Sequence, residues 1–155
     1  LPDAMLQLCD YLTPNESEAE ALTGLPVTSV AEAKIAAAAL LAKGVGAVVI
    51  TLGAQGALYH DGKTTLHTTV IAAGKVVDTT GAGDTFCGSL VAALSQGQAL
   101  PQALRFASAA SAIACTRWGA QSSIPETAEV QALLAATPPT SPEAAQALRA
   151  FCGLG

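Results

Sequence analysis

Val76-Val77-Asp78-Thr79-Thr80-Gly81-Ala82-Gly83-Asp84-Thr85-Phe86-Cys87-Gly88-Ser89-Leu90-Val91-Ala92-Ala93-Leu94 is the stretch that decides how the rest of the chain is read. It predicts a short apolar strand ending at Asp78, a turn holding two glycines, and a helix beginning near Gly83. Phe86, Leu90, Val91 and Leu94 are that helix's apolar positions. The first turn of a helix carries unpaired N–H groups and a partial positive charge. Gly81 and Gly83 bring the backbone close to a bound group and permit the positive φ that a concave cluster of amides requires. Such a cluster attracts phosphate, and Asp84 stands where a carboxylate would meet whatever lies beside it. Taken alone, Gly-Ala-Gly-Asp is equally well explained as a tight turn with Asp84 complementing the helix dipole, worth ~0.3–1 kcal/mol.

Composition narrows the field. The chain has 155 residues, enough for one domain with a real core, and is 51% hydrophobic but only 12% charged. Typical soluble domains are about 25% charged, so polar surface is scarce, as it would be if part of the surface were normally covered. No apolar run reaches the ~20 residues of a membrane helix; Ile35–Ala42 is short and flanked by Lys34 and Lys43. No membrane partner is therefore expected, and a net charge of −5 with seven Lys and Arg residues argues against nucleic acid. A nucleotide remains compatible, because backbone amides hold phosphate without a basic patch. Cys9, Cys87, Cys115 and Cys152 are widely spaced with no C-x-x-C pair, which reads as buried reduced thiols and a cytoplasmic location. No signal peptide is visible, and the chain opens on Leu1 rather than Met, as one without its native N-terminus would.

Along the chain, Leu1–Leu12 reads as a helix leading into a strand at Cys9–Leu12. Thr13, Pro14 and Glu16 form a capping box that starts a helix, and Gly24 stops it. Asn15 and Glu18 are not needed for that start. Ala31–Lys43 is a helix on propensity, ended by Gly44, and Ala47–Leu52 is a β-branched strand buried on both faces. Together they make the αβ half of a βαβ unit, and Gly53-Ala54-Gln55-Gly56 turns the chain at the strand end where open α/β sheets bind ligands. Ala57–His60 and Thr64–Thr69 flank Asp61-Gly62 as a hairpin. Gly62-Lys63-Thr64 is not a P-loop, since Ala57 stands where the first glycine belongs and the context is a hairpin. His60 and His67 read as surface side chains. Pro101–Arg117 is a long helix whose small residues suit close packing, Glu126–Ala136 a capped helix, and residues 137–155 a Pro-rich linker with a short terminal helix.

The longer string from Asp78 to Phe86 resembles the C-terminal signature of the PfkB carbohydrate-kinase family. Asn15-x-x-Glu18, Thr51-Leu52-Gly53-x-x-Gly56 and Thr116-Arg117-x-Gly119-Ala120-Gln121-x-Ser123-Ile124-Pro125 are similar to further family segments, in family order over roughly residues 1–130. The resemblance implies a fold and a chemistry. The fold is α/β, a ribokinase-like three-layer αβα arrangement, mostly parallel with an antiparallel hairpin and incomplete as it stands. Residues 1–136 would be the C-terminal nucleotide-binding and catalytic half of the domain. The reaction is transfer of the ATP γ-phosphoryl group to a sugar hydroxyl, O5 of D-ribose foremost, in an enzyme that is a homodimer at full length.

The same resemblance assigns residues. Asp84 is the general base and meets the substrate hydroxyl, while Gly81, Ala82 and Gly83 stabilise charge on the phosphoryl oxygens. Asn15, Thr51, Leu52, Gly53, Ala54, Gln55, Gly56, Gly83 and Ser108 contact the nucleotide, Ser108 with Ala107 and Ala112 at its adenine end. Glu18 serves Mg²⁺ through water, and Asp78, Thr80, Ala114, Arg117, Gly119 and Ser123 hold K⁺, mostly through carbonyls, as hard cations prefer. Trp118 stands where the family more often has a polar residue. Three other readings stay open: a nucleotide-binding fragment or pseudokinase without activity, a family kinase for another sugar or nucleoside, and a purely structural α/β domain.

Overall fold

The computed structural model describes residues 2–138. From residue 139 onward, the expected linker and terminal helix lie outside the described residues. The chain divides into two compact units between His67 and Thr68.

The first unit is built on a mixed sheet in the order β1 (Tyr11–Leu12), β2 (Ala47–Thr51), β3 (Ala57–His60), β4 (Thr65–Thr68). β1 pairs parallel with β2, Tyr11 opposite Ala47, and β2 pairs antiparallel with β3, Val49 opposite Tyr59. Ala47 to Ile50 are all buried, as expected for a strand covered on both faces. α2 (Glu16–Thr23) and α3 (Val30–Ala42) pack on one another and on β2. Alanines let α3 approach closely: Ala33, Ala36, Ala37 and Leu40 are buried with Val48, Ile50 and Leu58 in one core. Ser29 caps α3 by accepting the Glu32 amide at 3.2 Å, and Lys43 ends it with Nζ 3.0 Å from the Leu22 carbonyl. A short helix, α1 (Asp3–Leu6), precedes β1.

The helix at Glu16 starts later than the sequence suggests. Thr13 is not its cap; Asn15 is, with Oδ1 accepting the Glu18 amide at 2.9 Å while the Glu18 carboxylate accepts the Asn15 amide at 2.9 Å. The reason lies in the sheet. Asn15 makes a parallel bridge to Thr51, and the Thr51 amide donates to the Pro14 carbonyl at 3.0 Å, so the chain stays extended through Pro14. Only after it leaves that ladder does it coil.

The second unit is helical: α4 (Ala82–Ser95), α5 (Leu100–Ala114) and α6 (Thr127–Ala136). α4 packs along α5, where Ala103, Ala107 and Ala110 are buried and keep the axes close, in line with the small residues of that segment. Ile71, Ala109, Ala110, Ile113 and Val130 form the core against α6. The expected strand before Asp78 is absent: Val76 is 62% exposed and residues 75–79 take no regular structure. A strand needs a neighbour for its backbone groups, and here the Val77 and Asp78 amides both go to the Cys115 carbonyl, at 2.8 and 3.2 Å. On α4, Phe86 and Leu90 are buried and Leu94 partly so, but Val91 is 57% exposed. Among the described residues no helix is long and apolar enough to cross a membrane.

Candidate active site

Gly81 makes the bend at which α4 begins, and its φ of 75° is left-handed. A Cβ there would stand 3.1 Å from the Ala120 Cα and 3.2 Å from its Cβ, so both conformation and space call for glycine. Gly83 differs from the expectation, because it lies inside the helix without a positive φ. A Cβ on it would meet nothing within 4 Å, so its lack of a side chain leaves open space at the start of α4. Ala82 is fixed through its carbonyl, which accepts the Ser111 hydroxyl at 3.0 Å.

Asp84 follows in the first turn of α4 and is exposed. No hydrogen bond or ion pair engages its carboxylate among the described residues. A carboxylate left free beside unpaired helix amides can accept a proton from an incoming hydroxyl while those amides face an anion. Thr85, next to it, is 4% exposed with an Oγ1 that has no partner among the described residues.

The turn before α4 is tied to the loop after α5 by one side chain. Asp78 Oδ1 accepts from the Thr80 amide at 2.9 Å and the Thr80 hydroxyl at 2.7 Å, and Oδ2 accepts the Gly119 amide at 3.1 Å. The Thr80 hydroxyl, then the Thr80 and Gly119 amides, hold the Asp78 carboxyl below its usual range against a smaller opposing effect of burial. Gly119 has φ 91°, and a Cβ on it would fall 2.6 Å from Ser122 Oγ. Ser123 is fully buried, with Oγ donating to the Ala120 carbonyl at 2.8 Å, and Arg117 is ion-paired with Glu129. Burial and the Asp78 charge push the nearby Cys115 thiol up. The ends of α5 and its loop thus bring Asp78, Thr80, Ala114, Arg117, Gly119 and Ser123 into one neighbourhood. Further back on α5, Ser108 Oγ donates to the Leu104 carbonyl at 2.9 Å and lies 3.3 Å from Thr68 Oγ1.

In the first unit the remaining candidates also converge. The Asn15–Thr51 bridge joins the capping box of α2 to the Thr51–Gly56 turn. Gly53, at φ 49°, faces Glu16, whose Oε1 lies 3.5 Å from a Cβ placed there. The Leu52 amide donates to the Gly56 carbonyl at 2.8 Å and the Gln55 amide to the Leu52 carbonyl at 2.8 Å, folding the turn on itself. Glu18, exposed, is taken up by the capping box through one oxygen, so Asn15 and Glu18 have a structural role that the sequence reading denied them. Sequence reasoning also missed Ser111 and Ala120 at the Gly81–Ala82 bend. Ala120 belongs to the Thr116–Pro125 segment and Ser111 to the small-residue face of α5, but neither signal points to Gly81 or Ala82, and only tertiary packing places them there.

Among solved structures, ribokinase from Arabidopsis thaliana complexed with ribose and ATP superposes with a TM-score of 0.82 at 36% identity, over 85% of this chain and 43% of that one. Ribokinase from Thermotoga maritima superposes with a TM-score of 0.79 at 41% identity, over 87% and 45%. These define the class: an α/β chain with the ribokinase-like fold. The family model described as pfkB family carbohydrate kinase matches residues 2–127, and the chain belongs to that family. Among curated relatives, ribokinase of Haemophilus influenzae is 45% identical over 126 residues, 81% of this chain and 40% of the relative. The chain therefore spans well under half the length of the relatives it matches.

Proposed function

We propose that this chain carries the nucleotide-binding and phosphoryl-transfer part of an ATP-dependent sugar kinase with D-ribose as acceptor. One observation carries the reading: the Asp84 carboxylate stands exposed and unengaged in the first turn of α4, beside the open space at Gly83 and the bend at Gly81. Asp84 takes the proton of the sugar hydroxyl, that oxygen bonds to the γ-phosphorus, and the bond from phosphorus to the bridging oxygen breaks to release ADP. The amides of Gly81, Gly83 and Asp84 meet the negative charge on the phosphoryl oxygens, each such donor contributing ~3 kcal/mol to a transition state, whereas the expected Ala82 amide is taken by the Thr79 carbonyl at 3.1 Å. The Thr51–Gly56 turn and Asn15 contact the nucleotide phosphates, and Ser108 lies toward the base.

Glu18 suits Mg²⁺ through water, because that ion keeps most of its waters and draws other ligands from substrate phosphates. The ion would neutralise charge on the transferred group. Oxygens of Asp78, Thr80, Ala114, Arg117, Gly119 and Ser123 are the hard donors that K⁺ takes. A homodimeric assembly and the extent of the catalytic half over residues 1–136 belong to the same proposal and rest on the resemblance, while a cytoplasmic location rests on the widely spaced cysteines.

The test is calorimetric titration with ATP, alongside phosphoryl transfer to ribose, for the wild type and Asp84→Asn. Retained ATP binding with transfer reduced ~10²–10⁴-fold is the expected result. Binding without transfer from wild type to any sugar would assign the chain as a nucleotide-binding fragment, and no binding would leave a scaffold.

A further inference from the structure

His67, in β4, is half-buried with Nε2 2.6 Å from the Gln55 carbonyl oxygen. A carbonyl only accepts, so Nε2 carries the hydrogen and the neutral ring is the Nε2–H tautomer. The other ring nitrogen, Nδ1, is shut off from solvent and has no partner among the described residues. An orphaned buried acceptor is unfavourable. A phenyl ring would fill the same space without that cost, so packing does not explain an imidazole here, whereas the bond from Nε2 does.

The peptide that receives this bond is a soft one. Gly56 follows Gln55 with φ 89° and ψ −131°, and a glycine leaves the preceding peptide plane free to turn at little cost. In the observed orientation the Gly56 amide donates to the Gly53 carbonyl at 3.1 Å while the Gln55 carbonyl faces His67. The Gln55 side chain is held separately, with Nε2 donating to the Thr28 carbonyl at 3.2 Å. The turn is thus fixed from the loop before α3 on one side and from β4 on the other.

We propose that His67 is a positioning residue for the nucleotide, its Nε2–H bond selecting the orientation of the Gln55–Gly56 peptide and with it the shape that the Thr51–Gly56 turn presents. This rests on the reading of that turn as a nucleotide contact. His67 touches no reacting atom, and its effect passes through the backbone of Gln55.

The test uses the full chain, with ATP as probe. His67→Gln keeps an N–H donor near the Nε2 position, whereas His67→Leu has none and His67→Asn is too short to reach. The Leu and Asn variants are expected to raise the ATP Kd about three- to tenfold, the range that loss of one hydrogen bond gives. They should also speed hydrogen exchange at the Gly56 amide, and His67→Gln should return both towards wild type. Nitrogen-15 spectra of the wild-type imidazole should show the Nε2–H tautomer, which needs no variant to fold. An Nδ1–H tautomer, or unchanged Gly56 exchange in the variants, overturns the clamp. Faster exchange with unchanged Kd overturns the positioning role and leaves a structural bond. If the wild type binds no ATP, the nucleotide reading fails and this role with it, while Gly56 exchange still reports separately whether the clamp exists.

Discussion

Asp78 and Gly119 are joined by a hydrogen bond of 3.1 Å from the Gly119 amide to Oδ2, which ties the approach to α4 to the loop that follows α5. Oδ1 is meanwhile occupied by the amide and hydroxyl of Thr80. One carboxylate therefore sets the relation between the bend at Gly81 and the loop at Ala120 that packs on it. All the bonds favour the charged form.

An acid-sensitive turn follows from this. The Asp78 carboxyl is depressed, first by the Thr80 hydroxyl and then by the two amides. A depressed carboxyl contributes stability that is fully present above its unfolded value, ~3.9, and is lost as pH falls through the folded value. The protection factors of the Thr80 and Gly119 amides, with the intrinsic slowing of exchange in acid divided out, should stay high at neutral pH and fall below about pH 4. In Asp78→Asn the acid step should vanish, with exchange already faster at neutral pH. An identical acid response in both proteins would show that another group governs the turn.

Gly81 and Gly83, two residues apart, should respond oppositely to alanine. At Gly81 the left-handed φ of 75° and the 3.1 Å approach to Ala120 make a Cβ unfavourable twice over. Gly81→Ala should destabilise the chain by at least ~1–2 kcal/mol, the cost of a left-handed L-residue. At Gly83 the φ is not positive and the space is open. Gly83→Ala should raise stability by roughly 0.5–1 kcal/mol through helix propensity while obstructing phosphoryl transfer. Urea unfolding of both variants, run beside a transfer assay, reads the contrast; a destabilised Gly83→Ala would refute it.

Glu18 offers a way to separate capping from metal binding. Glutamine serves at this position of a capping box as well as glutamate does, so Glu18→Gln should leave unfolding within ~0.5 kcal/mol of wild type. Removing the charge should nonetheless raise the Mg²⁺ concentration needed for ATP-dependent activity. Asn15→Ala, by contrast, should cost ~1 kcal/mol as a lost cap, and Asn15→Ser should recover most of it. Equal Mg²⁺ dependence in wild type and Glu18→Gln would leave Glu18 a structural residue only.

Much of the fold is legible in the residues themselves. The β-branched run at Ala47–Thr51, the alanine-rich α3 and the Asp61-Gly62 hairpin are local signals, and each element falls where its pattern puts it. The misreadings at Thr13 and at Val76–Asp78 share a cause. In both places the backbone's partner is distant in sequence: Thr51 keeps the chain extended past Thr13, and Cys115 claims the amides of Val77 and Asp78. Of the candidate site, Asp84 and Gly81 are visible from the sequence, because helix starts and left-handed turns leave residue signatures. The tie from Asp78 to Gly119, the seat of Ala120 on Gly81 and the bond from His67 to Gln55 leave none, since each depends on which surfaces meet.

Thr85 gives a last and sharper check on the start of α4. Its hydroxyl is buried without a partner among the described residues, one position after Asp84. Such a group costs ~1–3 kcal/mol of desolvation. Valine has nearly the same shape, the same branching at Cβ and a similar helix propensity. Thr85→Val should therefore stabilise the chain by about 1 kcal/mol, seen as a higher denaturant midpoint at unchanged slope. If the midpoint falls instead, the hydroxyl is engaged in solution. The terminus of α4 would then be held by a bond at Thr85 in addition to the Ser111–Ala82 contact, and Asp84 would owe its position to both.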